Sequence, residues 1–144
     1  MVRGMIFAAG FLCLATFALA KEVCLSGDCQ AGHGLKRYTD GSTYEGGFEE
    51  GKRSGKGVLR HASGVVYEGM FENDLFEGEG RMIHADGRSY EGVFKEGAYH
   101  GPGRYRWANG ATYEGDFSHG EFYTGTLVRA DGTRRVYEQG KRLE

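Results

Sequence analysis

Aromatic and charged residues alternate along much of this chain. In Tyr90-Glu91-Gly92-Val93-Phe94, a period of two puts Tyr90, Gly92 and Phe94 on one face and Glu91 and Val93 on the other. A second stretch, about Arg104 to Ala108, puts Tyr105 and Trp107 on one face and Arg104 and Arg106 on the other. Leu59 and His61, Met82 and His84, and Leu127 and Arg129 hold the matching positions elsewhere. The pattern predicts β-strands with one aromatic, apolar face and one charged face.

The pattern recurs. Tyr-Glu-Gly begins at Tyr44, Tyr67, Tyr90 and Tyr113, a spacing of 23 residues. Phe follows four residues later at Phe48, Phe71, Phe94 and Phe117. A Gly-x-Gly pair follows at Gly55/Gly57, Gly78/Gly80 and Gly101/Gly103, and a further Gly closes each unit at Gly64, Gly87, Gly110 and Gly132. Gly32, Gly34 and Gly41 continue the phase backwards as a half unit. A fixed period of this length is the mark of a repeat array.

Turn chemistry sets the register. Units end in Ala-Asp-Gly at Ala85-Asp86-Gly87 and Ala130-Asp131-Gly132, and in Ala-Asn-Gly at Ala108-Asn109-Gly110. A three-residue loop, a type I turn followed by a left-handed Gly, places Met82 opposite Tyr90 and Arg81 opposite Glu91. A two-residue loop would slip the register by one and mix the faces. Gly46, Gly69, Gly92 and Gly115 lie between Tyr and Phe and are expected to leave room for rings. Gly101 and Gly103 are expected to flank the hairpin bend.

The unit Y-x-G-x-F-x-x-G-x-x-x-G-x-G resembles the MORN (membrane occupation and recognition nexus) repeat. The position after Tyr-x-Gly-x, often Trp in that family, is always Phe here, and the usual His before Gly-x-Gly stands only at His100. The resemblance runs from about Gly32 to Gly132, and "CLSGDCQAGHG" resembles the Cys-containing first unit of exported bacterial MORN proteins. It implies an all-β fold: one hairpin per repeat, stacked into a single elongated, twisted antiparallel sheet of roughly ten strands. The expected divisions are a leader at 1–20, an N-terminal cap and half repeat at 21–43, repeats at 44–66, 67–89 and 90–112, a degenerate fourth at 113–135, and a C-terminal cap at 136–144. The fourth unit is one residue short between Gly120 and Gly125, Tyr123 replaces a Gly, and Tyr137-Glu138 keeps an echo of the repeat.

The first twenty residues carry one charge, Arg3, then an apolar run ending in Ala18-Leu19-Ala20. That is the form of a secretory signal cleaved after Ala20. The competing reading, a retained anchor, asks for a longer apolar run of roughly 20 residues. Export would place the chain in the periplasm or outside the cell. Cys13 would leave with the leader, and Cys24 and Cys29 remain. An even count in an exported chain favours a disulfide acting as a local staple; a metal or redox pair is the other reading.

Without the leader the chain carries 17 basic and 20 acidic side chains and has no basic block. That excludes a typical nucleic-acid partner and weakens anionic lipid. The Gly-rich segments lack the Lys and the strand–loop–helix context of a phosphate loop. His61 and His84 lie one hairpin apart, too far to share a metal; His33, His100 and His119 complete the set, and neither cofactor nor metal is expected. Glu45, Glu68, Glu91 and Glu114 form a row whose expected partners are Arg60, Arg81 and Arg106, not a catalytic pair across a cleft. The candidate binding surface is the aromatic face: Tyr67, Phe71, Tyr90, Phe94, Tyr105, Trp107, Tyr113 and Phe117, with Tyr44 and Phe48 completing the row. Those rings either pack only on each other or also present a groove. The expected function is a non-enzymatic, exported interaction or scaffold module that binds a protein or peptide strand along a concave aromatic face or at a sheet edge. Membrane-surface contact is the alternative that the resemblance allows, and service as an accessory module of an enzyme system is a weaker one.

Overall fold

In the computed structural model, which describes residues 21–143, twelve strands form one antiparallel sheet in sequence order, with no helix among the described residues. They are β1 (Val23–Gly27), β2 (Gly32–Arg37), β3 (Thr43–Glu49), β4 (Lys52–Arg60), β5 (Val66–Glu72), β6 (Leu75–Ile83), β7 (Ser89–Lys95), β8 (Ala98–Arg106), β9 (Thr112–Ser118), β10 (Glu121–Val128), β11 (Arg134–Glu138) and β12 (Lys141–Arg142). The expected ten strands become twelve because β1 precedes the half repeat and the tail folds back as β12. At roughly 4.8 Å per strand the sheet is about 50 Å long. The leader and its cleavage point lie outside the described residues.

Two kinds of turn alternate. On one side lie the expected three-residue loops. His84 N donates to Arg88 O and Gly87 N to His84 O, with Gly87 at φ 88°. Asp86 accepts the Arg88 N–H at 3.1 Å, as Asp40, Asn109 and Asp131 accept those of Ser42, Ala111 and Thr133. The resulting register pairs Met82 with Tyr90 and Arg81 with Glu91, as the loop chemistry predicts.

The other turns correct the sequence reading. The bend between β7 and β8 is Glu96-Gly97, with φ 50° and 85°, closed by the Lys95–Ala98 pair. That is a two-residue type I′ turn, whose twist suits a hairpin. Gly101 and Gly103 do not flank it; they lie inside the nine-residue strand β8. Glu50-Gly51, Asn73-Asp74, His119-Gly120 and Gln139-Gly140 make the equivalent turns. Each docks on the preceding unit: Gly51, Asp74, Gly97, Gly120 and Gly140 donate their N–H groups to the carbonyls of Gln30, Arg53, Phe76, Tyr99 and Tyr123. These hydrogen bonds tie neighbouring hairpins beyond the strand ladder.

The second strands of the first three repeats, β4, β6 and β8, each carry a bulge of three residues against one. Three residues, His100-Gly101-Pro102 in β8, lie opposite the single residue Val93 in β7. Ser54-Gly55-Lys56 and Glu77-Gly78-Glu79 repeat this opposite Gly47 and Met70. The fourth unit has only one extra residue, Tyr123, which accounts for its shorter Gly spacing.

A column of glycines crosses the sheet beside the bulges. Gly34, Gly46, Gly57, Gly69, Gly80, Gly92, Gly103, Gly115 and Gly125 pair in succession. The Tyr ring of each repeat lies flat over this column. A Cβ on Gly103 would come within 2.5 Å of the Tyr90 hydroxyl, and one on Gly92 within 2.6 Å of the Gly103 Cα. The Tyr90 hydroxyl then donates to the Val93 carbonyl at 2.8 Å; Tyr44, Tyr67 and Tyr113 do the same to Gly47, Met70 and Asp116. So the ring needs the glycines, and its hydroxyl bonds the carbonyl of the residue that faces the bulge.

The core is this one face. Tyr44, Tyr67, Tyr90 and Tyr113 have no exposed surface. Each meets its own Phe edge-on at about 5 Å and, for the first three, the Phe of the next repeat at the same distance. A single sheet is covered here by its own rings rather than by a second layer. Edge-to-face pairs are worth about 0.5–1.5 kcal/mol each beyond area burial, so each ring couples two repeats.

Candidate functional site

The proposed ring surface is closed over most of its length. Tyr67, Phe71, Tyr90, Phe94, Tyr105, Tyr113 and Phe117 are all buried, as are Tyr44 and Phe48. Of the candidate residues only Trp107 is half-buried. The closure comes from a third ring per repeat that the sequence reading missed. Phe76 stacks on Tyr67 at 4.0 Å, Tyr99 on Tyr90 at 3.9 Å, and Phe122 lies against Tyr113 at 4.3 Å. The first repeat has Arg53 at this position, with its guanidinium 5.9 Å from the Tyr44 ring and 5.2 Å from Phe71. Arg53 is held by Asp74, which accepts from its backbone N and from Nε at 2.9 Å. Asp74 in turn occupies the left-handed turn position where four other turns have Gly. The two departures from the repeat therefore belong together. Burial pushes the Tyr44, Tyr90 and Tyr99 hydroxyls up to about 12, and raises Tyr67 and Tyr113 as well.

The part of the ring face that stays open is at Trp107. It lies 4.7 Å from Tyr105 and 5.4 Å from Phe122. With Leu127, Ala111 and Arg129 it borders a hollow of about 390 Å³.

The larger concavity is on the opposite, charged face, which corrects the expectation of a concave aromatic face. It is a trough of about 1040 Å³ crossing the second to fourth repeats. Gly69, Gly80, Gly92, Gly103 and Gly115 form its floor. One wall is Glu68, Arg81, Glu91, Arg104 and Glu114; the other includes Lys56, Met70, Glu79, Val93, Pro102 and Asp116. The bulges turn the sheet at the glycine column, so the face away from the Tyr rings becomes hollow.

The Glu row has different partners from those expected. Arg81 stands between Glu68 and Glu91, as predicted, but Arg104 rather than Arg106 stands between Glu91 and Glu114, and Val58 rather than Arg60 lies between Glu45 and Glu68. Arg104 reaches Glu114 at 3.2 Å. Arg60 and Arg106 stand two residues further along their strands, opposite Thr43 and Val66, and Ser89 and Thr112. Two histidines far apart in sequence meet at the turn side, His100 and His119, with ring centroids 5.9 Å apart. Among the described residues no group of three or more His, Cys, Asp or Glu is gathered to hold a metal.

At the N-terminal end Cys24 and Cys29 form a disulfide with Cα atoms 5.9 Å apart, and Cys29 is buried in the ring cluster beside Gly34. At the other end the Tyr137 echo is in a different column. Leu127 pairs with both Tyr113 and Arg135, so Arg135 occupies the Tyr column; Tyr137 pairs with Gly125 and occupies the glycine column. The Tyr137 ring still meets Tyr113 at 5.8 Å, where the Phe of a next repeat would be.

Consecutive hairpins that share rings, turns and a glycine column define a one-dimensional β-hairpin repeat array. Residues 44–66, 67–87 and 90–112 each match the MORN repeat, so the chain carries at least three MORN repeats. No curated protein matches the chain.

Proposed function

We propose that the array is a non-catalytic interaction module whose partner, an extended peptide or protein loop, lies in the charged trough. The observation that supports this is the contrast between the two faces. The rings are consumed in holding repeats together, whereas the trough is open and presents alternating Glu and Arg beside Met70, Val93 and Pro102. Alternating charge offers paired contacts to a strand, and the exposed Met70 offers an apolar one. The sequence-level candidate face contributes only at its open end, around Trp107.

The test is capture of partners from the host's envelope fraction by wild type, by an Arg81→Glu/Arg104→Glu variant and by Trp107→Ala, each checked for native β-sheet by circular dichroism. Loss of the captured protein with the double variant alone supports the trough. Loss with Trp107→Ala alone moves the contact to the ring face.

The same reading places the protein in an exported setting, which the Cys24–Cys29 bond supports because such bonds persist in oxidising compartments. The intact mass of the protein from its host should match residues 21–144 less two hydrogens. A mass that retains the leader, or free thiols, sinks this part of the proposal.

A further inference from the structure

One wall of the trough is a row of charges across five neighbouring strands. Glu68 pairs with Arg81, Arg81 with Glu91, Glu91 with Arg104, and Arg104 with Glu114. All five side chains are exposed. The bulges in β6 and β8 fall on the other side of the glycine column, so the row keeps a regular register. Neighbouring strands lie about 4.8 Å apart, so the carboxylates recur about every 9.6 Å along the trough.

Of the regular chain conformations, one keeps step with this row and also fits the trough. The two walls are two residues apart in each strand, as Glu91 and Val93 are in β7, which is about 6.7 Å between backbones. An α-helix, about 10–12 Å across with its side chains, is too wide to reach the glycine floor between them. A β-strand repeats its facing side chains about every 6.7 Å, out of step with the row. It would also find no open ladder, because the floor glycines are already paired on both sides. A polyproline II chain has three residues per turn and rises about 3.1 Å per residue, so one side of it recurs about every 9.3 Å. From Glu68 to Glu114 it would drift by only about 0.6 Å against the row. Its backbone needs no hydrogen-bond partner from the protein.

The chemistry of the walls selects the side chains. The trough is lined by five carboxylates and three cations. Met70 and Val93 stand across the floor from Glu68 and Glu91, on the same two strands. A chain with three sides therefore turns cations to the Glu row, apolar residues to Met70 and Val93, and its third side to solvent. Acids set over Arg81 and Arg104 would have the same period, but the excess of carboxylates opposes them.

We propose, on the trough reading above, that the trough takes a polyproline II segment with a basic residue at every third position. The basic residues lie over Glu68, Glu91 and Glu114, and proline lies against Met70 and Val93. The test is a fluorescence-anisotropy titration of the purified protein with a labelled peptide of repeated Lys-Pro-Ser triplets, in about 0.15 M salt. Three comparison peptides are used. One has the same composition in an order without the three-residue period, one repeats Glu-Pro-Ser, and one is an Ala-rich helix with Lys at every seventh residue. The expected result is saturable binding of the Lys-Pro-Ser peptide, at least about fivefold weaker binding of the other three, and at least about threefold weaker binding in Glu91→Gln. Glu138→Gln, outside the trough, should bind as wild type. Equal binding of the reordered peptide would mean charge attraction without register and would overturn the proposal. So would tighter binding of the acidic or the helical peptide, or unchanged affinity in Glu91→Gln. Loss of the envelope partner in Arg81→Glu/Arg104→Glu, beside no binding of the Lys-Pro-Ser peptide, would leave the trough reading standing and sink the polyproline II segment.

Discussion

The middle of the array and its C-terminal end are built from the same elements under different obligations. In the middle, Tyr90 packs on Phe94, on Tyr99 and on Phe117 of the following repeat. One ring serves two units, so neither it nor its glycine floor can vary alone. At the end no further Tyr-Glu-Gly unit follows among the described residues. The Tyr column holds Arg135, the glycine column holds Tyr137, and the bulge in β10 shrinks to one residue. Strict periodicity is thus a consequence of shared packing, and it lapses where sharing stops. The N-terminal end solves the same problem covalently: Cys29 is buried where the column begins.

Alkaline titration should break the comparison most severely. Tyrosines whose folded value lies near 12 stay neutral while the unfolded chain ionises near 10. Their stabilisation is fully present below pH 10 and is lost as pH rises toward 12, by up to about 1.4 kcal/mol per pH unit for each such Tyr. Urea midpoints measured from pH 8 to 11.5 should stay flat to about 10 and then fall steeply; a fall that begins below pH 9 would contradict it.

Ring deletion comes next. Phe94→Ala should cost about 3–5 kcal/mol, whereas Phe122→Ala, half-buried at the end, should cost about 2 kcal/mol or less. Equal losses in thermal melts would erase the distinction between the regions.

A methyl group sharpens it further. Gly103→Ala inserts a Cβ under the Tyr90 ring and should destabilise by about 3 kcal/mol. Gly97→Ala, where a Cβ meets nothing within 4 Å, carries only the left-handed backbone penalty of roughly 1 kcal/mol. If the two prove alike in chemical denaturation, the glycine column is not a floor for rings.

The smallest effect belongs to the outer face. Arg104→Gln removes an exposed ion pair with Glu114 and should change stability by about 0.5 kcal/mol or less, less still in 1 M salt. A larger, salt-insensitive loss would mean the Arg row holds the sheet and does not merely line the trough.

The resemblance in sequence reached the stacked-hairpin fold, and much of its detail was legible too. Alternation about Tyr90 and Phe94 assigned the faces, and Ala-Asp-Gly at 85–87 set the register, because both depend on local geometry with a period of two. The type I′ turns were legible in part: Gly51, Gly97 and Gly120 recur at the repeat spacing, but Asp74 interrupts them. The third ring was hidden for the same reason, since Arg53 stands in line with Phe76, Tyr99 and Phe122.

What the sequence alone determined is therefore the unit: its length, its two faces, and the three-residue loop that aligns them. Tertiary structure decided how the face is closed, which side is hollow and which charges meet. Those outcomes depend on contacts between residues one repeat or more apart. There Tyr rings take space from facing glycines, and bulges turn the sheet away from the rings.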